Sequence, residues 1–204
     1  MSSAGTSSTM IQTCESGLST EGLFCIGDTE LVNWRKIGVI CSVKCPGSII
    51  LQTYGLMQSL RNEDIAVVSG FHSPMERECL NILLRGTCGI VFCPARGIPR
   101  RIPSQLKKPI EDGRVLVLSP FDEKHKRPTS DASILRNRLV AALGDVVFIP
   151  YASRGGKVEE LCKEIIGGGK PVYTFAGEHS ASLTAIGSQP ITPADFGCLS
   201  GDLP

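Results

Sequence analysis

Short apolar runs alternate with stretches of helical periodicity along most of this chain. The runs at 22–26, 36–41, 65–68, 88–93, 114–118, 145–149 and 171–175 have the length of strands, and several are apolar throughout, as strands buried on both faces are. Between them, 48–61 places Ile49, Ile50, Leu56 and Leu60 on a helical stripe, and 74–85 does the same with Met75, Cys79, Leu80, Leu83 and Leu84. Two more helices are predicted over 131–143, capped by Ser130 or Asp131, and over 156–166, closed by Gly167-Gly-Gly169. Pro99, Pro103 and Pro109 limit any helix in 94–113 to a short one. This alternation predicts an α/β fold: a doubly wound, mostly parallel, Rossmann-like sheet with helices on both faces. The domain spans 22–176. A flexible Ser- and Thr-rich extension (1–21) precedes it, and a Gly-, Pro- and Ser-rich, irregular tail (177–204) follows.

In such sheets ligands bind beyond the carboxyl ends of the strands. Those ends carry Ser42 and Lys44, then Ser69, Gly70 and His72, then Arg96, and finally Ser153, Gly155 and Gly156 ahead of Lys157. Small residues let a ligand approach the backbone, and free N–H groups at a helix start hold phosphate, so the Gly155-Gly156 turn is a candidate phosphate cradle. The same residues also suit ordinary turns, and their convergence on one edge is what favours a pocket. The helix before that turn carries Arg136, Asn137 and Arg138. Two residues apart, the arginines point in different directions, so Arg136 is assigned to the pocket and Arg138 to the surface. His72 is the best general acid–base by type, with a loop histidine as the plainer reading.

The near-zero net charge hides an asymmetry. All 21 Lys and Arg lie in 35–170, against 13 acids there, and the ends are acidic. Within 94–138 there are eleven bases and five acids, an electrostatic footprint for a phosphate-bearing ligand or else a solvated face. Arg96, Arg100 and Arg101 are the candidates for tracking a nucleic-acid backbone, with Phe92 and Phe121 the aromatics near them in sequence. Nine cysteines without a Cys-x-x-Cys, and three scattered histidines, point to buried thiols in a reducing cytosol, with no metal site and no cofactor. Cys41 and Cys45 could pair or bind metal only if both faced one way. No apolar run reaches the roughly 18–20 residues of a membrane span, and the N-terminus has no secretory pattern, so a cytoplasmic protein with no membrane contact is expected.

Read together, Leu23-Phe-Cys-Ile-Gly27, Lys36-Ile-Gly-Val-Ile-Cys-Ser42, Val67-Val-Ser-Gly70 and Arg136-Asn-Arg138 with the following 139–144 resemble the DNA-processing protein A (Smf) family. That family has a strand ending in Gly-Ser-Arg, a Val-Ser-Gly-Leu-Ala-Arg-Gly segment and an Arg-Asn-Arg-Ile-Ile-Ala-Gly-Leu helix. Phe71-His72-Ser73-Pro74 replaces Leu-Ala-Arg-Gly here. The resemblance implies binding of single-stranded DNA or, second, of a free nucleotide, without catalysis, by a homodimer. A sister family on the same scaffold, the lysine-decarboxylase-like phosphoribohydrolases, is similar at Arg136 and at Gly156-Lys-Val-Glu-Glu160. That similarity implies an alternative: hydrolysis of a nucleoside monophosphate, with Glu160 activating water and Arg136 stabilising the leaving side. In a structural alternative, the positive core meets the acidic ends of a neighbouring subunit.

Overall fold

The computed structural model describes residues 9–10 and 22–200. Seven parallel strands form the body of one sheet. In chain order they are β3 (Lys36–Val39), β4 (Ala66–Ser69), β5 (Gly89–Phe92), β6 (Val115–Ser119), β7 (Val146–Phe148), β8 (Val172–Phe175) and β9 (Gln189–Ile191). Two antiparallel strands complete it at the edge, the two-residue β1 (Thr9–Met10) and β2 (Phe24–Gly27). The spatial order is β1-β2-β6-β5-β4-β3-β7-β8-β9. The chain winds outward from β3 to β6 and then returns to the other side of β3 at β7, so the winding reverses between β3 and β7.

Alternation along the strands divides the core into two layers. Ile37, Val67, Ile90, Val117 and Phe148 face α1 (Gly47–Leu60), α2 (Pro74–Leu84) and α3 (Ser104–Glu111) through Leu56, Met57, Leu83 and Leu106. Val68, Val91, Leu116 and Val147 face the other way, onto Leu139 and Val140 of α4 (Ser130–Leu143) and Leu161 and Cys162 of α5 (Lys157–Gly167). Each of these core residues is fully or nearly fully buried. The doubly wound, Rossmann-like sheet expected from the apolar runs is the observed one.

Local chemistry sets the helix ends. Ser73 and Glu76 form a capping box at α2: the Ser73 hydroxyl accepts the Glu76 N–H (3.1 Å), and the Glu76 carboxylate accepts the Ser73 N–H (2.7 Å). The cap of α4 is Thr129, whose hydroxyl accepts the Ala132 N–H (3.1 Å), rather than Ser130 or Asp131. All three types cap well, and the chain enters the helix one residue earlier than expected. At the far end of α4 the Lys170 ammonium donates to the carbonyls of Ala141, Ala142 and Gly144, closing groups that a helix leaves open.

The segment after β8, expected to be irregular, contains α6 (Ala181–Ile186), β9 and the short α7 (Gly197–Ser200). β9 contains Pro190, a residue that cannot donate to a ladder. β9 is the outermost strand, so one of its sides needs no ladder donor. The extension over 1–21, expected to be flexible, lies outside the described residues apart from the two residues of β1. No helix among the described residues is long and apolar enough to cross a membrane.

Candidate nucleic-acid interface

The carboxyl end of β4 is the centre of the site. Ser69 is buried and its hydroxyl donates to the Val39 carbonyl (2.9 Å), so it stitches β4 to β3. Phe71 has φ +44°, the one non-glycine residue with positive φ among those described. Its left-handed backbone costs roughly 1–2 kcal/mol. The cost is offset by burial of the ring, which meets Phe92 edge to face at 5.9 Å. The bend turns His72 outward to solvent, and the His72 N–H donates to the Glu76 carboxylate (3.0 Å).

Gly70, between them, carries the guanidinium of Arg136. A Cβ at Gly70 would stand 1.2 Å from Arg136 Nη1, so the guanidinium keeps this place only while the residue is glycine. Arg136 comes from α4 and is only 5 % exposed, yet its bonding is thin. Nη1 reaches the Cys93 carbonyl at 3.5 Å, and Nε is buried without a partner. Burial lowers its pKa, and the Glu76 carboxylate acts against that shift. Arginine stays charged through such shifts, so a cation with an unspent donor sits beside the strand ends.

In front of Gly70 lies a cavity of about 310 Å³ lined by Phe71, His72, Arg77, Phe92 and Arg96. Arg96 also lines an adjoining cavity of about 460 Å³, together with Arg100, Glu123, Lys124 and Lys126. The two meet at Arg96, and the charged residues of this trough are all basic apart from Glu123. Arg100 is committed within it: Nε and Nη2 donate to the Glu123 carboxylate at 3.2 and 3.4 Å. Arg96 and Arg101 are exposed. Phe121 stacks on His125 at 4.6 Å beside the trough.

The Gly155-Gly156 turn is not the open phosphate cradle that the sequence led us to expect. Gly155 does adopt the left-handed conformation (φ +66°) that suits glycine. Its N–H, however, donates to the Glu159 carboxylate (2.7 Å), and the Gly156 N–H donates to the Ser153 carbonyl (2.9 Å). Glu159 itself plays the part of the anion. Ser42 is structural here too, its hydroxyl accepting the Ser153 N–H at 3.0 Å. Lys157 turns to the Ser130 hydroxyl and Lys44 is exposed on the loop after β3. Asn137 is half-buried on α4, while Arg138 forms a two-point ion pair with Glu164 on the surface. Glu160 is exposed on α5, and among the described residues no hydrogen bond or ion pair joins it to Arg136.

Sequence reasoning missed Glu76, Glu159, Arg77, Lys124 and Lys126. The Ser73-x-x-Glu76 spacing was a readable capping signal. Nothing in the adjacent pair Glu159-Glu160 says which carboxylate folds back. The Gly155 N–H holds the Glu159 carboxyl below its ordinary value of 4.5. A depressed folded pKa contributes stability that is present above the unfolded value and lost as pH falls through the folded one. Urea midpoints should therefore decline on acidification below about pH 4.5. The advantage of the native protein over Glu159→Gln should vanish in that window, and a pH-independent difference between the two would contradict this assignment.

Comparison with known proteins bears on the whole frame. The family model described as DNA recombination-mediator protein A matches residues 15–182. Among solved structures, DNA processing protein A (DprA) from Streptococcus pneumoniae superposes with a TM-score of 0.73 at 19% identity, covering 91% of this chain and 69% of that one. The Helicobacter pylori DNA processing protein A, whose structure was described for its single-stranded DNA binding mode, gives 0.70 at 22% identity, covering 85% and 84%. A molybdenum cofactor binding protein from Rippkaea orientalis gives 0.57 at 11% identity, covering 79% and 92%. At these identities the structures speak for the fold. A search among curated proteins returned no match. The family model spans most of the chain, and the chain belongs to the DNA recombination-mediator protein A family.

Proposed function

We propose that this protein binds single-stranded DNA along the basic trough at the carboxyl ends of β4, β5 and β6, without catalysis. The observation that carries the reading is Arg136: a buried guanidinium with an unpartnered Nε, packed against Gly70, which itself lines a cavity walled by Arg77 and Arg96. A phosphate is the ligand group that fits such a cation best, because it accepts several charge-assisted hydrogen bonds at once. A strand backbone repeats that group, and the basic wall continues past Arg96 to Lys124 and Lys126. Phe92, half-buried on the cavity wall, offers a ring face to an unstacked base. Membership of the DNA recombination-mediator protein A family supports the same ligand. The hydrolase reading gains no such support, since Glu160 points to solvent and Glu159 is spent on Gly155.

The test is a fluorescence-anisotropy titration with a labelled dT oligomer over a range of salt concentrations. The same titration is run with a duplex of equal length and with AMP as competitor. Affinity for the oligomer should fall linearly on a log–log salt plot. Arg96→Ala should weaken binding by about 1 kcal/mol and flatten the slope by roughly 0.7, one phosphate contact. Full competition by AMP at concentrations near the oligomer's would instead make a free nucleotide the ligand. An Arg96→Ala slope identical to that of the native protein would remove the trough from the interface.

A further inference from the structure

Beside the basic trough lies a second hollow of different chemistry. A cavity of about 540 Å³ opens between β2 and the loops after β5 and β6, with Phe24, Ile26, Ile98 and Pro99 as its apolar walls. Ile98, Pro99, Arg100 and Glu123 line this cavity and the trough alike, so the two are continuous. Phe24 pairs with Ser119, the last residue of β6, which puts it at the sheet edge that the trough follows. The two loops are locked together at Gly97. Its N–H donates to the His125 carbonyl (2.8 Å), and a Cβ there would stand 2.0 Å from the Asp122 carbonyl oxygen.

The charge here is reversed. Two acids, Asp122 and Glu123, line the cavity against one base, Arg100, and Arg100 is already bonded to both Glu123 oxygens. Asp122 Oδ1 accepts the Lys124 N–H (3.0 Å) and the His125 N–H (3.2 Å), while Oδ2 accepts no hydrogen bond from the described residues.

We propose that this cavity is a base pocket for the bound strand and that it prefers guanine. The inference rests on the reading that the trough holds single-stranded DNA. A phosphate is repelled by an excess of carboxylate, so a strand that lies in the trough offers this hollow a base and not its backbone. The apolar walls take the faces of the base, and the volume is that of a small-molecule site. A carboxylate only accepts hydrogen bonds, with about two acceptor sites on each oxygen, so the base must bring donors on its pairing edge. Guanine brings two side by side, the ring N–H and the 2-amino group. Adenine and cytosine bring an amino group next to a ring acceptor, and thymine brings a single N–H between two carbonyls. Asp122 Oδ2 is therefore matched best by guanine.

The test is an anisotropy titration of the full chain with an all-dT oligomer and with dT oligomers carrying isolated dG, dC or dA substitutions. Guanine should tighten binding by about tenfold over all-dT, with dC and dA in between. Asp122→Asn keeps the oxygen that caps the turn and turns the other position into an amide donor, so the guanine preference should vanish while circular dichroism stays native. Phe24→Ala should bring the guanine oligomer several-fold closer to all-dT without changing the salt slope, because a base contact releases no counterion. Salt-sensitive binding that is equal for all four oligomers would overturn the base pocket and leave the trough standing. A guanine preference that survives both substitutions would also overturn it. Absence of binding by every oligomer would overturn the trough reading itself, and the pocket with it.

Discussion

Replacing Arg136 by methionine is expected to weaken binding of a dT oligomer by about 2 kcal/mol, roughly thirty-fold in Kd, while leaving stability unchanged or slightly raised. The two halves of that expectation have different causes. A charge-assisted hydrogen bond to phosphate from a nearly dry site is worth more than one from an exposed lysine, because water competes for it less. Folding, by contrast, gains little from this guanidinium. Its contact to the Cys93 carbonyl is long and its Nε has no acceptor, so desolvation is poorly repaid in the free protein. Methionine keeps the apolar stem and removes the cost. Arg136→Lys should recover only part of the affinity, since an ammonium cannot reproduce the planar fork. Anisotropy and thermal unfolding on the same samples check both halves. If affinity and melting temperature fell together, Arg136 would be a structural residue and the phosphate assignment would go with it.

The frame of this molecule was legible because most of its parallel strands are apolar runs and its helices keep their periodicity. What stayed hidden depends on neighbours. The run at 22–26 reads as a strand, but nothing in it states that β2 pairs antiparallel with β6. Direction is a property of the partner, not of the residues. Pro190 reads as a breaker until the edge position of β9 makes it harmless. At the site, helix geometry said that Arg136 and Arg138 diverge but not which of them turns inward; the structure buries the first and pairs the second with Glu164. The Gly155-Gly156 turn was misread for a subtler reason. Its backbone has the shape of an anion cradle, and only the rotamer of Glu159 decides that the anion is the protein's own. Arg96, Arg100 and Arg101 look equivalent in sequence, and Glu123, more than twenty residues away, singles out Arg100.

Gly70→Ala should lower affinity almost as much as Arg136→Met, and the double variant should be no weaker than Arg136→Met alone. Gly70 does not use the positive φ that glycine permits, so the objection to a side chain there is spatial. The new Cβ would lie 1.2 Å from Arg136 Nη1 and 2.1 Å from Cζ. Those atoms end a flexible side chain, so the guanidinium swings away and the fold loses only about 1 kcal/mol. The cation is then no longer held beside the strand ends, which is the same functional loss as deleting it. Once Arg136 is methionine, the alanine methyl has no guanidinium to displace, and its further effect should vanish. Two substitutions acting through one group are non-additive in this way, and a double-mutant cycle on oligomer affinity measures it directly. Effects that added in full would mean that Gly70 meets the ligand through its own backbone, and the link from Gly70 through Arg136 to phosphate would fail.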